Sequence, residues 1–424
     1  MSLVGGRSPH PVSAGERWLA ICVDGVPFNL MAQLWNDGHF RMFHRPSPVV
    51  STFPSHSEVA LTAALHAPPV PGYEHRFFDI RRNRLRGGSA LTVFGGPFPY
   101  LRRLDYTEPG LWKGLHFVFP EEFALADLGR LCERVKRSQK KQFVAHLASF
   151  DAALHTLEPD QLRNLLLEVE RTMRRLLEER DEGLNVLLFS DHGNTLQPSR
   201  MVPVRSGLRE AGWRPRTHLV HPTDVVIPEY GLVGFVALYC HPEARAHLAA
   251  DMVSLPGVDL TLYLEEANSV VIQNRQGQRA SIRWDFQGTT YWYSADQGDV
   301  LGLVPLLEAY SAEQTRRGYR IHHPELLRAL VLHQPYPDTL HRIRGWAESY
   351  HVVNRCDVVA SLAPGYHYGK PVFEWFVELK STHGGLDWSS SVGFAMATWE
   401  LPAVLRIEQV LDCLGGARDR PRAS

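Results

Sequence analysis

At 424 residues, with 44% hydrophobic and 21% charged residues, the chain can bury a large core and is too ordinary in composition to be disordered or fibrous. Its 45 Lys and Arg balance 46 Asp and Glu, which excludes a global field for nucleic-acid polymers or anionic lipid and leaves any anion recognition to a local site. Five scattered cysteines without a CxxC pair point to a reducing compartment and away from a cysteine-ligated metal, and no run approaches the roughly 18 apolar residues of a membrane span. A cytoplasmic protein with no membrane span is expected.

Residues 1–17 are Gly, Ser, Pro and charge, and the first apolar run, Trp18 to Val23, reads as a strand closed by Asp24 and Gly25. A Ser-Thr-Phe-Pro-Ser-His segment at 51–56 follows, then a short apolar helix, EVALTAALH. Residues 75–140 are rich in Arg, Gly, Pro and aromatics and are predicted to form a cap or long loops. They hold Arg81, Arg82, Arg84 and Arg86, a basic run from Arg134 to Lys141, and the aromatics Phe77, Phe78, Phe94, Phe98 and Tyr100. Such charge runs are usually solvated faces; folded over a site, the first cluster could hold a phosphate.

Gln142 to Phe150 reads as the next strand. Leu162, Leu165, Leu166, Val169, Met173, Leu176 and Leu177 then recur at helical spacing before the strand Asn185 to Ser190, which makes a β-α-β crossover. Residues 234–300 read as a small α/β insert, and 415–424 as a frayed tail. The alternation predicts an α/β fold, a three-layer α/β/α sandwich around a mostly parallel sheet, in one domain spanning 16–424.

In such sheets ligands gather beyond the carboxyl ends of the strands, where Asp24, Asp151 and Asp191 fall. Asp24, if buried, needs hydrogen bonds or a cation, and capping Pro27 to Trp35 is its plainer use. Thr52 and Ser55 precede a helix that either could cap, and a hydroxyl there also meets N–H groups that favour an anion. Asp151 and His155 share a face if they lie on a helix, as a local ion pair or a chelating pair. Asp191 and His192 leave their strand together beside Gly193, and His383 lies in KSTHGGL. Three carboxylates, three imidazoles and a hydroxyl suit a pair of divalent metals and a nucleophile, so a metal-dependent hydrolase is predicted.

The order Asp24, Thr52-Phe-Pro-Ser-His56, Asp151-x-x-x-His155, Ser190-Asp-His-Gly193 and Thr382-His-Gly-Gly385 resembles the alkaline phosphatase superfamily, in particular its nucleotide pyrophosphatase/phosphodiesterase branch. The similarity runs from about Trp18 to Leu414 through short motifs. It implies one metal on Asp151, His155 and His383 and a second on Asp24, Asp191 and His192, with Thr52 bound to the second as nucleophile. Zn²⁺ suits both mixed donor sets, with Mn²⁺ the alternative. Ser55 stands where the branch often has an Asn that contacts a phosphate oxygen.

The implied activity is hydrolysis of a small phosphorylated substrate, a phosphodiester or nucleotide-like pyrophosphate, through a threonyl-phosphate. A phosphomonoesterase, a phosphomutase or a non-catalytic metal-binding relative are the alternatives. Thr52 cannot be oxidised to the formylglycine that sulfatases use, which disfavours sulfate esters. Where the branch reads Thr-Gly and later Pro-x-x-His-Gly, this chain has Thr62-Ala63-Ala64-Leu65-His66-Ala67-Pro68-Pro69, which leaves the substrate open.

Overall fold

The computed structural model describes residues 17–88, 98–108, 116–179, 183–371 and 379–414; Phe94 and the tail at 415–424 lie outside them. The central strand β1 (Arg17–Val23) is covered on both faces, which is why its sequence is continuously apolar. Trp18, Ala20 and Cys22 join one core, while Leu19, Ile21 and Val23 join the other.

The first helices and strands are α1 (Phe28–Asn36), β2 (Ser47–Val50), α2 (Ser57–Ala64) and the hairpin of β3 (Arg76–Asp79) and β4 (Arg84–Gly87). Then come β5 (Tyr106–Thr107), α3 (Pro120–Arg137), β6 (Gln142–Leu147), α4 (Ser149–Thr156), α5 (Pro159–Glu179) and β7 (Leu184–Phe189). Parallel pairing of β1 with both β6 and β7 sets Ala20 opposite Val144 and Leu187 and completes the crossover.

Two sequence expectations shift here. The strand predicted over Gln142–Phe150 ends at Leu147, because Ser149 and Phe150 already belong to α4. A break at Leu157 then separates α4 from α5, which begins at Pro159, where the missing N–H costs a helix nothing. The 75–140 segment is also not all cap. Its β5 pairs with β6 at the edge of the sheet, and α3 buries Ala124, Leu128, Leu131 and Val135 against the main core. That stripe has helical spacing, but abundant Glu and Arg conceal it in the sequence.

The rest of the chain supplies a second sheet and then returns to the first. The second sheet runs β8 (Phe235–Leu238), α6 (Arg245–Ser254), β9 (Val258–Glu266), β10 (Ser269–Asn274), β11 (Arg279–Trp284), β12 (Thr290–Gln297), β13 (Glu313–Thr315), β14 (Gly318–His322), α7 (Thr339–Ala347) and β15 (Val358–Leu362). Strands β16 (Val392–Ala397) and β17 (Leu405–Arg406) then complete the main sheet, whose order is β17-β2-β16-β7-β1-β6-β5. It is mixed, because β16 runs antiparallel to both β2 and β7 while its other pairings are parallel.

The second sheet, β8-β15-β9-β10-β11-β12-β14-β13, is antiparallel throughout. The strands of the 234–300 segment are thus part of a larger unit reaching Leu362. Residues Leu260, Leu262, Ile272 and Trp284 extend the core on the α2 side of the main sheet. Helices α1, α3 and α5 cover the opposite side, which gives the α/β three-layer arrangement. Among the described residues no helix is long and apolar enough to cross a membrane.

Candidate metal centre

Beyond the carboxyl ends of β1 and β7, Asp24, Asp191 and His192 converge, and Asp151, His192 and His383 form an adjoining group. Within each group the potential ligand atoms lie within 4.8 Å of one another. Asp24 follows β1 directly. Gly25, at φ 72°, turns the chain back so that its N–H donates to Asp191 Oδ1 at 3.2 Å. A Cβ at Gly25 would sit 3.3 Å from the His192 ring and 3.6 Å from Asp151, so the turn passes between the two groups. Asp191 and His192 leave β7 together, and α4 sets His155 Nε2 3.2 Å from Asp151 Oδ1 one helical turn away. The segment 379–387, which precedes β16, brings His383 Nε2 to 3.4 Å from the same oxygen.

Each imidazole is oriented by its other nitrogen. Nδ1 of His155 faces the Ser381 carbonyl at 2.7 Å, that of His192 faces Gly193 O at 2.9 Å, and that of His383 faces Ser55 O at 3.0 Å. A carbonyl only accepts, so the proton of each neutral ring sits on Nδ1 and the Nε2 lone pair is left toward the carboxylates. Lone pairs and carboxylate oxygens facing each other at 3.2 to 3.5 Å repel unless positive charge, a proton on Nε2 or a divalent ion, lies between them, and donors disposed in this way suit a metal. Buried Asp151 Oδ1 and Asp191 Oδ2 have no hydrogen-bond partner, which fits the same conclusion.

The titration pattern has the same origin. Burial pushes the His192 imidazole down, but Asp191, Asp24 and Asp151 outweigh it and raise it to about 10. His383 is driven down to about 4 by burial and by His192, whose ring stacks on it at 3.9 Å. Burial and the charge of Asp24 raise Asp191, while His155 and His383 overcome burial and hold Asp151 well below the carboxylate range. Protons on some imidazoles thus supply the positive charge that this cluster of carboxylates demands.

No family model and no curated protein matches the sequence. The fold does match solved structures. Phosphonoacetate hydrolase from Sinorhizobium meliloti 1021 superposes with a TM-score of 0.52 in its complex with phosphonoformate, at 14% identity over 97% of this chain and 98% of that one. Its complex with phosphonoacetate gives 0.51 at 13% identity over the same shares. The chain has the alkaline phosphatase-like fold. Human ectonucleotide pyrophosphatase/phosphodiesterase 5 gives a TM-score of 0.50 at 10% identity, covering 94% of both chains.

Within this alkaline phosphatase-like architecture the expected metal residues Asp24, Asp151, His155, Asp191, His192 and His383 are neighbours, with His192 within reach of both groups rather than one. Thr52 and Ser55 stand differently. The Thr52 hydroxyl donates to Pro54 O at 3.0 Å, and the residue lines a small cavity with Asp338, His341, Arg342 and Glu408. Ser55, expected to meet a phosphate oxygen, is fully buried and its hydroxyl is bound to Gly385 O, Ser391 and the Arg342 guanidinium. It ties the 52–55 loop to the 385–391 loop, with no surface for substrate.

Two residues beside the centre escaped the sequence reading. His146, opposite Cys22 in the β1–β6 register, places Nε2 2.8 Å from Asp24 Oδ2. Ser57, the first residue of α2, sets its hydroxyl 3.2 Å from Asp24 Oδ1 and 3.0 Å from His192 Nε2. Neither has a signal in one dimension, since a register and a helix start decide both.

Proposed function

We propose that this chain is a metal-dependent hydrolase of phosphoric esters that acts on a small phosphodiester or a nucleotide-like pyrophosphate. The observation that carries the proposal is the convergence of carboxylate oxygens and imidazole nitrogens from distant segments into two adjoining groups, within each of which the ligand atoms lie within 4.8 Å of one another. Asp151, His155 and His383 would hold one divalent ion and Asp24, Asp191 and His192 the other. Their mixed nitrogen and oxygen donors suit Zn²⁺, with Mn²⁺ the alternative. Bound there, two divalent ions supply charge neutralisation and Lewis-acid polarisation for the attacking and leaving oxygens of an in-line displacement.

The protein's own groups do the positioning. Asp151 keeps 28% of its side chain exposed while Asp191 and His192 are sealed, so substrate approaches from the Asp151 side. Helix α2 begins beside Asp24 and His192, which its first residue Ser57 bonds through the hydroxyl, and a helix N-terminus in that place would favour an anionic phosphoryl group. The resemblance of the Thr-Phe-Pro-Ser-His motif names the Thr52 hydroxyl as the attacking group.

The test is metal content by mass spectrometry after Zn²⁺ reconstitution, coupled to hydrolysis of bis-p-nitrophenyl phosphate and p-nitrophenyl phosphate. Close to two ions per chain, with faster diester turnover, is the expected result. Asp191→Asn is expected to lose one ion and the activity together. A reconstituted protein that binds no metal would overturn the proposal, and faster monoester turnover would move it to a phosphomonoesterase.

A further inference from the structure

Resting on the reading of Thr52 as the attacking group of a two-metal phosphoric ester hydrolase, we infer that Arg342 is a positioning residue that fixes the Thr52 backbone relative to the loop carrying His383. Arg342 stands on α7, 290 residues from Thr52, and is 3% exposed. Its Nε and Nη2 both donate to the Thr52 carbonyl, at 3.4 and 3.2 Å. Nη2 also reaches Ser55 Oγ at 2.9 Å and Ser391 Oγ at 2.6 Å, and Nη1 donates to Leu386 O at 2.9 Å and Pro337 O at 3.1 Å. The planar fork of the guanidinium thus engages two loops at once. One carries Thr52 and Ser55, and the other runs from His383 through Leu386 to Ser391.

Charges inside proteins are ordinarily paired with an opposite charge. Every oxygen bonded to Arg342 among the described residues instead belongs to a carbonyl or a hydroxyl, with Asp338 and Asp387 acting through space. Burial pushes the guanidinium down to about 9, so it keeps its charge at neutral pH. Irregular loops leave carbonyls that no helix or strand satisfies, and a side chain with five N–H groups serves those of Thr52, Leu386 and Pro337 together.

The consequence falls on Thr52. Its carbonyl is held by the fork while its hydroxyl donates to Pro54 O at 3.0 Å, which leaves rotation about χ1 as the freedom of the side chain. His383 is tied to the same loop from the other side, its Nδ1 facing Ser55 O at 3.0 Å. The attacking group and a metal ligand therefore share one frame, and Arg342 is the residue that closes it. A misplacement of about 1 Å at a reacting group slows a reaction on the order of a hundredfold.

The experiment is steady-state hydrolysis of bis-p-nitrophenyl phosphate by Zn²⁺-loaded wild type, Arg342→Lys and Ser391→Ala. Metal content by mass spectrometry and folded fraction by circular dichroism are measured on the same samples. Arg342→Lys keeps a cation but loses the fork, and is expected to lower kcat about a hundredfold with KM within about threefold of wild type and metal content unchanged. Ser391→Ala removes one anchor of the guanidinium and is expected to lower kcat by about threefold to tenfold with the same split; it carries the test if Arg342→Lys does not fold. Wild-type kcat in the variant that carries the test, a loss that falls on KM, or a loss accounted for by missing metal or unfolded protein would each overturn the inference and leave the hydrolase standing. A metal-loaded wild type inert toward every ester, or a phosphoryl group trapped by acid quench on a residue other than Thr52, would overturn the underlying reading instead.

Discussion

Asp338 shows what single residues contribute away from the metal centre. It is fully buried, sits in the left-handed region at φ 48°, and holds His323 Nε2 at 2.7 Å and Arg406 Nε at 2.6 Å. Burial favours the neutral acid, but Arg406 and His323 prevail and keep the carboxyl far below the carboxylate range. Asparagine tolerates this backbone conformation and preserves the side-chain shape, so Asp338→Asn removes little besides the charge. Breaking such a pair leaves a buried guanidinium uncompensated, and the variant is expected to lose about 3 kcal/mol in urea unfolding at neutral pH. Because the folded value is depressed, the contribution is complete above the unfolded pKa near 4 and fades as pH falls below it. The stability gap between wild type and variant should therefore be constant above about pH 5 and narrow at more acid pH. A gap that does not move between pH 6 and 3 would contradict this account.

At the scale of elements, the ligands depend on how the strand ends are braced. Gly193 closes the Asp191-His192 turn against the start of β16, and a Cβ there would lie 2.2 Å from Ser389 O and 2.8 Å from Val392 O. Both are backbone atoms, so Gly193→Ala must move the turn or the strand. It is expected to weaken Zn²⁺ binding by about 10- to 100-fold, as loss of support around metal ligands does, measured by competition with a chromophoric chelator. The β6-α5-β7 crossover was legible, because its apolar residues recur at strand and helix spacing, whereas α4 was hidden at the end of the apolar run read as one strand. The i,i+4 spacing of Asp151 and His155 was legible all the same. What was not legible is α3 as a core helix and β15 as a strand inserted between β8 and β9. An Arg-rich surface face obscures the first, and the second pairs Val358–Leu362 with strands about 100 residues earlier, a choice no local pattern encodes.

At the scale of the whole molecule, the centre draws its side chains from the ends of β1 and β7, from α4 and from the loop near residue 383. Metal binding therefore couples segments that are distant in sequence, and an ion that binds only the folded chain stabilises all of them together. At a Zn²⁺ concentration 100-fold above Kd the gain is about 2.7 kcal/mol, so Tm should climb with metal concentration and fall back on chelation. Asp191→Asn should blunt the response. A Tm indifferent to Zn²⁺ and to chelator would show that no site of this kind forms.

The sequence by itself determined the alternation of elements, the strand ends on which Asp24 and Asp191 stand, and the imidazoles of His155, His192 and His383, since periodicity and residue chemistry are local properties. Tertiary structure alone decided which nitrogen each imidazole offers, because that depends on carbonyls of residues 193, 381 and 55. It also decided that Ser55 is enclosed by Arg342, 287 residues away, and that the Ser57 hydroxyl meets Asp24 and His192. These are contacts between segments far apart in the chain, where direction and packing select among side chains that the sequence offers on equal terms.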